Sequence, residues 1–170
     1  MKLLSDWGIT SDWWRWLRGE YWVIAQGFLL LSFVISPNDR PSFIDLDTAA
    51  WHYGSLGLTF IFGVLSVTLL WRSLFDLGQN LTPLPHPRDD GQLVQTGIYG
   101  LVRHPLYSGV IFLALTYASW QISWVHFLGA ISLFVFFDAK ARKEEVWLTE
   151  KFSDYINYCQ LVKKLIPWIY

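Results

Sequence analysis

Three uncharged stretches alternate with polar segments along this chain of 170 residues. The first two cover residues 21–38 and 51–71, and the third runs over residues 106–137 without a formal charge. A helix needs roughly 20 apolar residues to cross a bilayer, so the third stretch is long for one crossing and short for two. Polar and aromatic residues at 119–124 divide it. The pattern therefore predicts four membrane-spanning helices, at about residues 21–38, 51–71, 100–120 and 124–142.

The positions of the basic residues favour four spans over three. Lys and Arg collect on the cytoplasmic side of membrane proteins. With four spans, every Lys and Arg except Arg40 falls on the side that holds both termini. With three spans the basic residues divide almost evenly between the two sides. We therefore expect a multi-pass protein whose N and C termini are both cytoplasmic.

The aromatic residues support a membrane location. The chain has 12 Phe, 11 Trp and 8 Tyr, and many of the Trp residues lie near the ends of the apolar stretches. Trp and Tyr are enriched where a bilayer meets water. Residues 11–20 read as a short interfacial helix, and the apolar spacing of residues 145–165 predicts an amphipathic helix. The fold class is thus an all-α integral membrane protein, with residues 1–170 forming a single membrane domain.

Several classes of function and processing are excluded by composition and spacing. A net charge of −1 gives no field suited to nucleic acid. Cys159 is the sole cysteine, so no internal disulfide is possible, and His52, His86 and His126 fit no metal-binding spacing. We expect no metal. We also expect no cleavable signal peptide, because the first apolar stretch starts late.

Ionisable groups lie at both ends of the third apolar stretch. Arg103, His104 and Pro105 precede it, and Glu144 and Glu145 follow it. A helical hairpin would return the chain to the same membrane border, so these groups could share one pocket. Each has a simpler interpretation: Pro105 can start a helix, and the acidic pair can neutralise its basic neighbours. A helix start and a carboxylate also suit a ligand with anionic, ammonium or diol groups.

Read together, these residues resemble the isoprenylcysteine carboxyl methyltransferase and phospholipid methyltransferase superfamily of membrane enzymes. The similarity runs from about residue 77 to residue 167, and each of its pieces is short. The ordered pieces are Gly78, Thr82-Pro83-Leu84-Pro85, Leu93-Val94-Gln95-Thr96-Gly97-Ile98-Tyr99, Arg103-His104-Pro105-Leu106-Tyr107-Ser108-Gly109, Glu144-Glu145-Val146-Trp147-Leu148, Phe152, Tyr155, Tyr158, Val162 and Ile166-Pro167.

The resemblance implies a methyltransferase that uses S-adenosyl-L-methionine and acts on a lipophilic or prenylated acceptor in the bilayer, with its active site on the cytoplasmic side. The implied cofactor contacts are Gln92, Leu93, Val94, Tyr99, His104, Pro105, Leu106, Tyr107 and Glu144. Candidate acceptors are a prenylcysteine carboxylate, a lipid amine and a small thiol.

The implied acceptor site rests on four residues near the same border. Arg103, Lys140 and Arg142 are expected to orient an anionic acceptor, and Glu145 to accept a proton from an amine or thiol. The prenylcysteine enzymes have an arginine four residues before the first glutamate of the pair. This chain has Lys140 there, which lacks the bidentate guanidinium fork.

Two other functions remain open from the sequence. Membrane sterol reductases, which use NADPH, share a His-Pro-x-Tyr element and a C-terminal Tyr-Cys pair, echoed here by Tyr158 and Cys159. The adjacent Glu144 and Glu145 favour the methyltransferase. The third interpretation is a non-catalytic membrane scaffold. It predicts that the residues of the methyltransferase motif would have been replaced.

Overall fold

The computed structural model describes residues 18–41 and 49–170, and its regular elements are helices. In this part of the chain no β-strand occurs, and the one isolated bridge joins Val102 to Lys163. Two 3₁₀ turns, Gly78–Asn80 and Gly97–Gly100, flank the loop between the second and third helices. The helices are α1 (Glu20–Ile35), α2 (Ala49–Leu77), α3 (Pro105–Gln121), α4 (Trp124–Lys151) and α5 (Tyr155–Leu161).

Two of the described helices are long and apolar enough to cross a membrane: α4, and α2 with the turn that follows it. Apolar side chains on α2 point outward, among them Tyr53 and Phe60, which are 72% and 73% exposed. In a bilayer these positions contact lipid. Helices α1 and α3 have 16 and 17 residues, fewer than the roughly 20 that one crossing needs. The all-α fold is confirmed for the described residues. Two helices qualify as membrane spans by length and composition, and the four-span topology stays a prediction.

The hairpin of α3 and α4 supplies the apolar core. Buried residues from both helices and from the C-terminal segment form one cluster, which consists of Ile111, Ala114, Ala130, Leu133, Phe137 and Leu165. Helix α2 packs against the outer side of α3, where Gly109 brings the two backbones together. A Cβ atom at Gly109 would lie 2.6 Å from Leu70 Cγ, and Ser66 Oγ donates a hydrogen bond to Gly109 O at 2.9 Å.

The third predicted span, 100–120, starts too early. Helix α3 begins at Pro105, and His104 adopts φ −121°, ψ 62°. Proline suits the first position of a helix because its missing N–H is not needed there, and it disfavours helical backbone in the residue before it. Residues 101–104 therefore stay outside the helix.

The predicted amphipathic helix over residues 145–165 is not continuous. Helix α4 extends to Lys151, well beyond the predicted end at residue 142, and Phe152 is extended. The short α5 then ends at Leu161. After α5 the chain pairs with the approach to α3, since Arg103 N donates to Lys163 O at 2.8 Å and His104 N to Lys164 O at 3.0 Å. These tertiary hydrogen bonds replace helical ones.

The first predicted spans agree with the structure within a few residues at most ends. Helix α1 ends three residues before the predicted end at residue 38, and α2 starts two residues before residue 51 and continues six beyond residue 71. Residues 11–17 of the predicted interfacial helix lie outside the described residues.

Candidate active site

The start of α3 lies beside the C-terminal half of α4. Arg103 Nε and Nη2 each lie 2.9 Å from Glu145 Oε1. Arg103 Nη1 also donates to the carbonyl oxygens of Cys159 and Val162. The Arg103 and Glu145 side chains are only 9% and 17% exposed. This buried ion pair ties three parts of the chain together, and removing one partner would leave the other charge uncompensated.

His104 lies between the two glutamates. Its Nε2 is 3.1 Å from Glu145 Oε1, and its Nδ1 is 3.7 Å from Glu144 Oε2. The imidazole is 5% exposed and stacks almost parallel to the ring of Tyr107, with centroids 5.4 Å apart. Glu145 is thus occupied by Arg103 and His104. The Glu145 carboxylate therefore links the Arg103 guanidinium to the His104 ring.

Glu144 has different surroundings from its neighbour. Tyr107 Oη donates to Glu144 Oε2 at 2.6 Å, and the Tyr107 ring stacks on Phe137 at 4.9 Å. A short hydrogen bond to a carboxylate is charge-assisted and orients it firmly. The Glu144 side chain is 24% exposed. Glu144 therefore presents a fixed carboxylate to the space beside α3.

That space is a cleft in which the cofactor contacts implied by the sequence converge. The cleft holds about 810 Å³ of space between atoms, its open mouth included. Its lining includes all nine implied residues: Gln92, Leu93, Val94, Tyr99, His104, Pro105, Leu106, Tyr107 and Glu144. The α2–α3 loop, the α3 start, α4 and α5 each contribute a wall.

Three buried tyrosines close the inner end of the cleft. Burial raises the pKa of Tyr99 above its ordinary value, and the nearby Glu144 charge raises it further. The pKa values of Tyr155 and Tyr158 are also raised, mainly by burial. Tyr158 Oη donates to Tyr99 O at 2.5 Å. These phenols stay protonated at neutral pH.

Tyr155 and Tyr158 were not among the implied site residues, although both line the cleft. Their spacing of three positions on a helix places them on one face, which is the signal that would have identified them. Asn80 and Thr82, also in the lining, follow α2 and give no such periodic signal.

Lys140 lies outside the cleft lining, on another side of Tyr107. Its ammonium donates to Gln26 Oε1 at 2.8 Å and lies 3.5 Å from Pro83 O. It is also 5.1 Å from the centroid of the Tyr107 ring. Lys140 is 2% exposed, and its two oxygen partners are neutral. A buried cation of this kind is suited to an anionic ligand.

Arg142 is placed away from both the cleft and Lys140. Its side chain is 66% exposed and pairs with Asp138 at 2.7 Å. Asp138 also accepts from Lys164 at 2.9 Å and from Tyr170 Oη at 3.0 Å. The implied acceptor residues are therefore divided: Arg103 and Glu145 form the ion pair, Lys140 is buried nearby, and Arg142 anchors the C-terminal segment.

Potential metal ligands are scattered in the structure. Within residues 18–41 and 49–170, no three His, Cys, Asp or Glu side chains form a group that could hold a metal ion.

The helices and the cleft define a helical membrane protein that carries a ligand site beside its α3–α4 hairpin. The family model for phospholipid methyltransferases matches residues 51–155, more than half of the chain. The chain belongs to this family.

The chain is also similar in sequence to a characterised plant protein. The protein-S-isoprenylcysteine O-methyltransferase B of Arabidopsis thaliana is 29% identical over 126 residues. The aligned region covers 70% of this chain and 61% of the plant protein. The chain thus matches somewhat less than two thirds of that relative's length.

Proposed function

We propose that this protein transfers a methyl group from S-adenosyl-L-methionine to a carboxylate on a lipophilic acceptor. The observation that carries the proposal is the convergence of His104, Tyr107 and Glu144 with residues 92–94 on one cleft. These residues are far apart in sequence, and they meet where the family's methyl donor is expected. Family membership supports the reaction type.

The cleft residues fit the chemistry of the donor. The fixed Glu144 carboxylate can accept hydrogen bonds from ribose hydroxyls or an ammonium group, and aromatic rings favour the purine and the sulfonium charge. The half-buried side chains of Leu93 and Val94 supply apolar wall. The bound donor would bring an already activated methyl group. The protein's task is then to align the acceptor and exclude water.

The surroundings of Lys140 favour an acidic acceptor. Its buried ammonium has only neutral oxygen partners, Gln26 and Pro83, and it lies across Tyr107 from the cleft. The Glu144 charge acts on this ammonium only through space, so an anionic acceptor would supply a direct ionic partner. The related plant protein is named for O-methylation of protein S-isoprenylcysteine, which agrees with a carboxylate acceptor.

The position of Glu145 points to the same class of acceptor. Methylation of an amine or a thiol requires a group that removes a proton, whereas a carboxylate acceptor loses none. Glu145 is already bound to Arg103 and His104, so it is poorly placed to serve as that base. A carboxylate acceptor needs alignment and charge compensation alone.

We also propose that α1 and α3 cross the bilayer with α2 and α4, with the cleft on the cytoplasmic side. The charge asymmetry of the sequence supports this topology. Impermeant maleimide applied to intact cells should label a cysteine introduced at Asn38 in a Cys159→Ser background. Failure to label that site, together with labelling of a cysteine introduced at Asp154, would contradict the proposed orientation.

The acceptor class can be tested with radiolabelled methyl donor and purified protein in lipid nanodiscs. Farnesylcysteine, phosphatidylethanolamine and an alkyl thiol are offered separately. We expect label only on farnesylcysteine, in a form released as methanol by base, as for an ester. Label on the amine or thiol would refute the carboxylate assignment, and no label on any acceptor would refute the proposed function.

Lys140→Met provides the matched variant for this assay. We expect it to raise the KM for farnesylcysteine at least about tenfold, the effect of losing roughly 1.4 kcal/mol of binding. The affinity for S-adenosylhomocysteine should not change, because Lys140 does not line the cleft. An unchanged acceptor KM would show that Lys140 does not contribute to acceptor binding.

A further inference from the structure

Residues 88–96 form an outer wall of the cleft and contain no helix or strand. Gln92, Leu93 and Val94 line the cofactor cleft and also line a second cavity. Polar residues form most of the rest of that second cavity, whose lining is completed by Asp76, Asn80, Gln95, Thr96, Lys151, Phe152, Ser153 and Asp154. Asn80 and Phe152 line both cavities. The wall is therefore a single layer of chain with empty space on both sides. We call residues 88–96 the flap.

The flap is attached to the helices by polar contacts. The Lys151 ammonium, at the end of α4, donates to the carbonyl oxygens of Arg88 and Asp89. Asn80 Oδ1, at the end of α2, accepts from Gln92 N at 2.8 Å. Hydrogen bonds near water exchange for bonds to water at small net cost, so releasing the flap needs little free energy.

The chain on either side of the flap is anchored more firmly. Leu84 is 4% exposed, and Pro85 is among the fully buried side chains. After the flap, Gly97 has φ +61°, and a Cβ there would collide with the Asp76 carboxylate, which accepts from Ile98 N at 2.7 Å. The two ends can serve as fixed points about which residues 88–96 move into the outer cavity.

We propose that the flap is the gate through which the methyl donor reaches the cleft from water, and that Lys151 is a positioning residue that holds the gate closed. The proposal rests on the proposed function, since it assumes that the cleft binds this donor. A charged, water-soluble cofactor cannot arrive through lipid. The outer polar cavity gives it an aqueous route, and the flap separates that cavity from the cleft together with Asn80 and Phe152.

The test is the rate at which S-adenosylhomocysteine dissociates from purified protein, measured by stopped flow. Lys151→Met removes the flap contact, Lys151→Arg keeps a cationic donor, and Lys143→Met is the control. Lys143 is on the same helix but lies over the Trp147 ring, 4.7 Å from its centroid. We expect Lys151→Met to raise the dissociation rate about tenfold, equivalent to about 1.4 kcal/mol. It should also raise the association rate, since the donor enters through the same gate, while the acceptor KM stays constant.

The outcomes separate the two proposals. A wild-type rate in Lys151→Met, or an equal increase in Lys143→Met, overturns the gate and leaves the function intact. If the wild-type protein does not bind S-adenosylhomocysteine, both fall. Recovery of the slow rate in Lys151→Arg supports a positioning role over a general loss of folding.

Hydrogen exchange of the wild-type protein gives an independent measurement should Lys151→Met fail to fold. Without ligand, the amides of residues 88–96 should exchange much faster than those of α3 and α4, and S-adenosylhomocysteine should slow them. Protection of the unliganded flap equal to that of α3 would refute the gate.

Discussion

Two adjacent glutamates have different surroundings in this protein. Glu145 is held by Arg103 and His104, whereas Glu144 accepts from Tyr107 and borders the cleft. Successive residues on a helix point about 100° apart, so neighbours in sequence seldom share an environment. The sequence identified the acidic pair as important. It could not assign the roles, because these depend on which side of α4 faces α3.

Tyr107→Phe tests the role of the Tyr107 hydroxyl. The change removes the 2.6 Å bond to Glu144 while keeping the stacked ring. We expect the dissociation constant for S-adenosylhomocysteine to rise about tenfold, because a hydrogen bond to a charged group contributes about 1.5 kcal/mol or more. Isothermal titration calorimetry in detergent measures it.

The control for that variant is Tyr53→Phe, a tyrosine on α2 that is 72% exposed. It should bind with wild-type affinity. If Tyr107→Phe also binds with wild-type affinity, Tyr107 does not orient Glu144 for the ligand.

At the scale of helices, the hydrophobic runs predicted where each helix lies more accurately than where it begins and ends. The start of α3 at Pro105 could have been placed from the proline alone. The break at Phe152 could not, since the apolar spacing continues through it. The end of α5 at Leu161 could not be predicted either, since the chain beyond it pairs through residues 163–164 with Arg103 and His104, a contact between distant parts of the chain.

The packing of α2 on α3 depends on Gly109. Gly109→Ala adds a methyl group 2.6 Å from Leu70 Cγ, and overpacking of this kind costs about 1–3 kcal/mol. We expect a lower thermal midpoint for the purified protein in detergent.

Gly57→Ala is the matched control on α2, where a Cβ meets nothing within 4 Å. It should be neutral, or more stable by up to about 1 kcal/mol, because alanine is the better helix former. Equal stability of the two variants would contradict the close contact of α2 with α3.

At the scale of the whole molecule, the ordered motifs predicted the cleft lining well. All nine implied cofactor contacts line one cleft, although their binding role stays a prediction. The four implied acceptor residues did not assemble: Arg142 turns outward to Asp138, and Arg103 is paired with Glu145. The order of the motifs along the chain indicates which segments line the cleft. The partners of individual side chains depend on three-dimensional packing, which could not be read from this one sequence.

The most direct test of the central claim is calorimetric titration of the purified protein with S-adenosylhomocysteine and, separately, with NADPH. The cleft geometry predicts saturable binding of S-adenosylhomocysteine, weakened at least about tenfold in Glu144→Gln, and no binding of NADPH. Binding of NADPH alone, or S-adenosylhomocysteine affinity unaffected by both Glu144→Gln and His104→Ala, would contradict the assignment of this cleft as the methyl-donor site.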